Sequence, residues 1–351
     1  MAIDIFVCVY FAAINLVAIM LTVYDKRLSK KAQSRRISEK TLLFVSAIGG
    51  AVAMLFTMRI IRHKTQHKRF ILGIPVMIVL HIAIAYWFNT YTLRTTTLII
   101  NDERINNEIT IVQLADLHDA TFGKNNSQLI SRIDRVSPDV IVVTGDMSTR
   151  GGKADGIDIA VSLLNNLGEK YPVFVVDGGH DGYMWQMIDE GRINATFLDY
   201  ETAEITIGET TVALHGVPDR FSREPTAFNL ADELVLNDSA YNVLIAHEPH
   251  FQPYSDFGAD LSLCGHLHGG IIRLPFIGTV FHRDTFGDVW FPELRNLRHI
   301  HGLLKSENSD IAIADGQNSK IFISSGLGLH PVPVRLFNRP EVVVVRLLPS
   351  E

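Results

Sequence analysis

Ile109-Thr110-Ile111-Val112-Gln113-Leu114-Ala115-Asp116-Leu117-His118 decides how this chain is read. A short β-branched run of strand length leads straight into a polar Asp-x-His turn. The same arrangement recurs down the chain. Further strands are expected at Val140–Thr144, Val173–Val176, Val243–Ala246, Leu261–Cys264, Ile321–Ser324 and Val342–Leu347. Between them, Asn126 to Val136 sets Leu129, Ile130, Ile133 and Val136 on one helical face, and Ile157 to Leu167 reads the same way. Strands alternating with helices predict an α/β domain.

Five of these strands end in turns bearing carboxylates and imidazoles, where open α/β sheets place their sites. They are Asp116-Leu117-His118, Gly145-Asp146, Gly179-His180-Asp181, His247-Glu248-Pro249-His250 and Gly265-His266-Leu267-His268. Each alone has a bland reading, since Gly-Asp often makes a turn and a lone histidine is more often structural than a ligand. Their joint occurrence at strand ends is harder to produce by accident. Divalent ions need hard carboxylates and neutral imidazoles, and those are the side chains assembled here.

With these motifs the chain resembles the calcineurin-like metallophosphoesterase superfamily over about Thr110 to Leu348, through Asp-x-His, Gly-Asp, Gly-x-His-Asp, His and Gly-His-x-His. Gly265-His266-Leu267-His268-Gly269-Gly270 and Ser325-Gly326-Leu327-Gly328 are similar to a membrane-associated bacterial phosphodiesterase branch. The resemblance implies a four-layer αββα sandwich. It also implies two divalent ions, manganese first with iron or zinc as alternatives. Asp116, His118 and His268 would bind one ion, Asp146 would bridge, and His247 and His266 would bind the other. His180 matches the family's non-ligand histidine, which contacts the substrate phosphate and assists the leaving oxygen.

One position departs from the pattern. Gly179 stands where the family has asparagine, so a ligand to the second ion is missing and that site is expected to be weaker, with Asp119 and Asp177 as conceivable substitutes. Phe281, Phe286, Trp290 and Phe291 are candidates for contact with an apolar substrate tail, or simply packing residues. Arg273 and Arg335 would meet phosphate or cover the surface.

Ahead of this domain the composition changes. Ile3 to Tyr24 and Phe70 to Phe88 are apolar runs long enough to span a bilayer, whereas Thr41 to Met58, with Gly49-Gly50, reads as a spanning helix or a re-entrant hairpin. Basic clusters flank the runs, hidden within a formal net charge of −6. Tyr24-Asp25-Lys26-Arg27, Arg36-Ile37-Ser38-Glu39, Gly49-Gly50 and Arg62-His63-Lys64-Thr65 resemble the DUF1294 membrane family, which brings no known activity. The expected layout is a membrane module at 1–90 with two or three crossings, a linker at 91–108 and the phosphoesterase domain at 109–351.

The function expected is a membrane-anchored, metal-dependent phosphoesterase, phosphodiesterase favoured, that hydrolyses its ester with a metal-activated water. Its substrate would be a phosphate ester, lipid-linked or envelope-derived, met on the extracytoplasmic side of the cell membrane. The rival is a catalytically weakened metal- or phosphate-binding sensor in which the membrane module is the working part. No nucleic-acid partner is implied, the oligomeric state is left open, and two cysteines suggest no disulfide framework.

Overall fold

A computed structural model describes residues 2–31, 35–153, 155–223, 229–270, 272–274, 277–284, 287–290, 302–305 and 319–350. The chain divides into two compact units, Met1–Phe88 and Asn89–Glu351.

The first unit holds three helical stretches long and apolar enough to cross a membrane, Val9–Leu28, Glu39–Ile60 and Lys68–Tyr91. They are built from α1 (Ala2–Leu28), α2 (Glu39–Val45), α3 (Ala51–Ile60) and α4 (Lys68–Tyr91). Between α2 and α3 the helix breaks at Ile48 and Gly49, the latter at φ 119°, a value that glycine adopts without a Cβ clash. A straight 22-residue helix would hold its ends ~33 Å apart. Here both ends meet one carboxylate. Asp25 of α1, fully buried, accepts from Arg36 Nη2 (3.1 Å) and Ile37 N (3.1 Å) ahead of α2. It also faces His63 Nε2 (2.8 Å) and Lys64 Nζ (3.3 Å) after α3. The segment therefore doubles back as a hairpin, and of the two readings of Thr41 to Met58 the folded one is observed.

At the tip, carbonyls freed by the break are taken up by side chains, Ile48 O by Tyr10 Oη (2.7 Å) and Ala47 O by His81 Nε2 (2.7 Å). Irregular backbone needs such partners wherever water is excluded. A Cβ on Gly50 would stand 2.9 Å from Ala18 Cβ, so the glycine permits close helix packing.

The second unit is a sandwich of two six-stranded sheets. In chain order its elements are β1 (Arg94–Asp102), β2 (Ile109–Leu114), α5 (Ser127–Asp134), β3 (Val140–Thr144), α6 (Gly156–Gly168), β4 (Val173–Val176), α7 (Met184–Asp189) and β5 (Thr196–Phe197). There follow β6 (Thr202–Ile207), β7 (Thr210–Val217), β8 (Tyr241–Ala246), α8 (Phe251–Phe257), β9 (Leu261–Cys264), β10 (Arg273–Leu274) and β11 (Gly278–Thr279). The chain ends with β12 (Phe281–Asp284), β13 (Gly287–Trp290), β14 (Gly302–Lys305), β15 (Lys320–Ile323) and β16 (Glu341–Pro349). One sheet runs β1-β16-β2-β3-β4-β5 and the other β14-β15-β9-β8-β7-β6, while β10-β11 and β12-β13 form separate ribbons.

Strands buried on both faces explain the unbroken apolar runs. Along β3, Val140 and Val142 pack between the sheets, whereas Ile141 and Val143 pack outward with Leu129 of α5 and Leu163 of α6. On the other sheet, Val243 and Ile245 of β8 face inward, and Leu244 faces Tyr254 of α8. Three apolar layers thus separate four layers of secondary structure, the αββα arrangement. Arg94–Asp102, expected within a linker, is instead the edge strand β1, paired in parallel with β16. Its partner lies at the far end of the chain, which no local pattern announces.

Candidate metal centre

β2, β3 and β4 are parallel to one another, as are β8, β9 and β15, so the turns following them can meet. At Asp116 (φ 51°), His118 (φ 43°), Asp146 (φ 54°), His266 (φ 67°) and His268 (φ 49°) the backbone is left-handed. Non-glycine residues rarely adopt this region, and such strain persists only where the surroundings enforce it. Enforcement comes from cross-loop hydrogen bonds: Asp116 N to Gly145 O (3.0 Å), His118 N to Asp146 O (3.1 Å) and Gly265 N to His247 O (3.0 Å).

The donors converge on Asp146. Its Oδ2 lies 3.4 Å from His118 Nε2 and 3.2 Å from His247 Nε2, while its Oδ1 accepts the His180 backbone N–H (2.9 Å). His247 Nδ1 donates to Thr144 O (2.9 Å), so in the neutral ring the Nε2 lone pair is directed at the centre. His266 Nδ1 is 3.2 Å from that Nε2, and its other nitrogen lies 3.8 Å from Glu248 Oε1. On the opposite side, ligand atoms of Asp116, His118 and His268 lie within 4.8 Å of one another. His118 Nδ1 is bonded to Thr149 Oγ1 (3.1 Å), whereas His118 Nε2 and His268 Nδ1 are buried without a hydrogen-bond partner. Five of the six residues expected as ligands, Asp116, His118, His268, Asp146 and His247, thus fall into two groups that share Asp116, and His266 adjoins them through His247. Orphaned imidazole nitrogens beside two buried carboxylates form a donor set that fits divalent cations.

Burial, with Asp146 close by, pushes Asp116 up to about 7. Burial alone would raise Asp146 too, but His247 and His118 hold it far below the carboxylate range. Burial likewise favours neutral His247, yet Asp146 and Asp116 outweigh it and raise that imidazole well above its ordinary value. Burial keeps His118 and His268 neutral, the form a metal binds.

His180 borders this group, its ring 5.1 Å from that of His118. Its Nδ1 accepts the Arg150 backbone N–H (2.9 Å), so in the neutral ring Nε2 carries the proton and is a donor. Asp181, in the same turn, is fully buried and accepts from Met147 N (3.0 Å) and Ser148 N (3.2 Å), fixing the loop behind Asp146. A Cβ at Gly178 would stand 2.3 Å from Asp146 Oδ1, so only glycine fits. Gly179 differs. The nearest atoms to a Cβ there are the carboxylate oxygens of Asp219, at 3.8 and 4.0 Å.

Neither substitute considered from sequence falls in a group of potential ligand atoms among the described residues. Asp119 spends its two oxygens on Thr149 N (3.0 Å) and Lys153 N (3.1 Å), and Asp177 Oδ1 accepts Asp219 N (2.8 Å). Arg335 is fully buried, donating to Ser325 O (2.8 Å) and Gly328 O (2.7 Å), and so holds the late glycine loop in place of meeting phosphate or covering the surface. Arg273 donates to Gly269 O (3.0 Å). Phe286, Phe291 and the side chains of Phe281 and Trp290 lie outside the described residues.

One residue was missed. His330 stacks on His118 with ring centroids 4.6 Å apart and meets His180 edge to face at 4.7 Å. A histidine two residues after Ser325-Gly326-Leu327-Gly328 was the available signal, but nothing in the spacing brings it back to β2 and β4.

Such a donor set is a candidate site for divalent metal ions. Residues 109–270 match the calcineurin-like phosphoesterase family model, and residues 15–70 match DUF1294, a family of unknown function. An uncharacterized metallophosphoesterase of Campylobacter jejuni is 28% identical over 285 residues, covering 77% of this chain and 68% of that protein. One from Aquifex aeolicus is 27% identical over 268 residues, covering 74% and 93%. The uncharacterized protein YsdA of Bacillus subtilis is 34% identical over 90 residues, 25% of this chain and 98% of that protein. Residues 109–270 belong to the calcineurin-like phosphoesterase family, a family of dinuclear metal-dependent hydrolases of phosphoesters, with a DUF1294 segment ahead of them.

Proposed function

We propose that this protein is a membrane-anchored phosphodiesterase working on the extracytoplasmic face. Asp116, His118, His268 and Asp146 would hold one divalent ion, and Asp146, His247 and His266 the other, manganese first with iron or zinc as alternatives, since mixed oxygen and imidazole donors serve all three. The observation that carries the reading is the single oxygen Asp146 Oδ2 standing between His118 Nε2 (3.4 Å) and His247 Nε2 (3.2 Å). Divalent ions bound there supply Lewis-acid chemistry, making water nucleophilic at neutral pH and neutralising the phosphoryl oxygens. The chain itself does the positioning. His180, its tautomer set by the Arg150 amide, presents an Nε2–H to a phosphate oxygen or the departing ester oxygen.

The orientation draws on the first unit. Lys26 Nζ donates to Arg62 O (3.0 Å), and Asp25 gathers Arg36, His63 and Lys64, so both basic clusters lie at the same end of the helical hairpin. Basic clusters favour the cytoplasm. From that side α4 would carry the chain outward, to an envelope or lipid-linked phosphodiester.

Gly179 supports a second reading, a sensor that keeps metal affinity without turnover. Turnover of bis(p-nitrophenyl) phosphate by the purified full chain, against added Mn²⁺ and after chelation, separates the two: metal-dependent hydrolysis supports the enzyme, and bound metal with no hydrolysis of any ester supports the sensor. Protease digestion of intact cells tests the side. A catalytic domain that is protected until the membrane is broken would place it in the cytoplasm.

A further inference from the structure

His330 reaches the centre from the loop after β15, and that loop is anchored on the ligand-bearing turns. Leu327 N donates to Ala115 O (3.0 Å), Gly328 N to Asp116 O (2.6 Å) and Asn338 Nδ2 to His268 O (2.7 Å). Arg335, fully buried, clamps the base of the loop through Ser325 O and Gly328 O. The His330 ring is only half-buried. It leans on both His118 and His180, and ring nitrogens of the three lie within 4.8 Å of one another.

Hydrogen bonds of ~2.8 Å let two donors this close reach one phosphoryl group from either side. We infer that His330 is a second non-ligand imidazole of the site, which hydrogen-bonds the phosphoryl group of the bound ester opposite His180. The inference rests on the phosphodiesterase reading above. It divides the three imidazoles: His118 serves the metal, with its Nδ1 held by Thr149, while His180 and His330 face the substrate. A phosphoryl oxygen turned away from the ions would then be gripped by side chains, as oxyanion stabilisation requires.

The test uses the full chain in detergent micelles, loaded with Mn²⁺. His330→Ala, His330→Gln and wild type are compared for bound metal per chain, orthovanadate affinity by calorimetry, and kcat/KM on bis(p-nitrophenyl) phosphate, with near-ultraviolet circular dichroism to check folding. In His330→Ala, metal content is expected to stay at the wild-type value while vanadate affinity and kcat/KM each fall roughly tenfold. His330→Gln, whose amide still donates, recovers part of both. Metal content falling in step with vanadate affinity makes His330 a ligand and overturns the inference, as does vanadate affinity that neither variant changes. Should wild type hydrolyse no ester, the phosphodiesterase reading fails separately, and the vanadate and metal measurements still decide the role of His330.

Discussion

His247 divides its two nitrogens, Nδ1 donating to the Thr144 carbonyl at 2.9 Å and Nε2 facing Asp146 Oδ2 at 3.2 Å. In the neutral ring the carbonyl bond keeps the proton on Nδ1, so Nε2 is the nitrogen left to face a cation beside Asp146. Asp146→Asn keeps the shape but removes the charge that both ions would share. Bound metal is expected to drop, and turnover to fall below about one-hundredth of wild type. Elemental analysis alongside the hydrolysis assay checks this, and unchanged metal with unchanged turnover would remove Asp146 from the centre.

His180 is placed differently, since its ring nitrogen accepts the Arg150 amide at 2.9 Å and its backbone N–H donates to Asp146. His180→Ala leaves the backbone bond in place. Metal content is expected to persist while kcat falls by about 10²-fold or more. Parallel loss of metal and rate would make it a ligand.

At Gly179 the backbone φ is ordinary and a Cβ meets nothing closer than 3.8 Å, so Gly179→Asn is expected to fold normally and to raise occupancy of the second ion. Metal titration by calorimetry reads this as tighter binding of the second equivalent. Two tightly held ions in wild type, with no change in the variant, would show that another group already serves.

In the first unit, Asp25→Asn would leave His63 and Lys64, both nearly inaccessible, beside a neutral group. Removing one partner from a buried charge cluster costs roughly 3–5 kcal/mol. Arg36 is 44% exposed and contributes less. The thermal unfolding midpoint in micelles should fall clearly; an unchanged midpoint would mean that the cluster does not hold the hairpin.

Much of this was legible in the chain. Val140–Thr144 and Leu261–Cys264 announce themselves as strands because both faces are buried, and their turns announce metal chemistry because carboxylates and imidazoles seldom crowd strand ends for packing alone. Asp116, His118, Asp146, His247, His266 and His268 could be named because each sits in a local motif, a few residues from its strand.

What tertiary structure decided lies where partners are distant in sequence. Arg94–Asp102 is a strand because β16 offers it an edge, with Arg94 Nη2 2.7 Å from Glu341 Oε1. His330 belongs to the centre because backbone hydrogen bonds tie its loop to the turn after β2, and no spacing encodes that bond. Apolar periodicity in Thr41 to Met58 specified helix but not direction, since a spanning helix and a hairpin bury the same residue types; only the two ends meeting at Asp25 distinguish them. Local patterns reflect which faces are buried, whereas long-range hydrogen bonds and buried charges decide which segments share a neighbourhood.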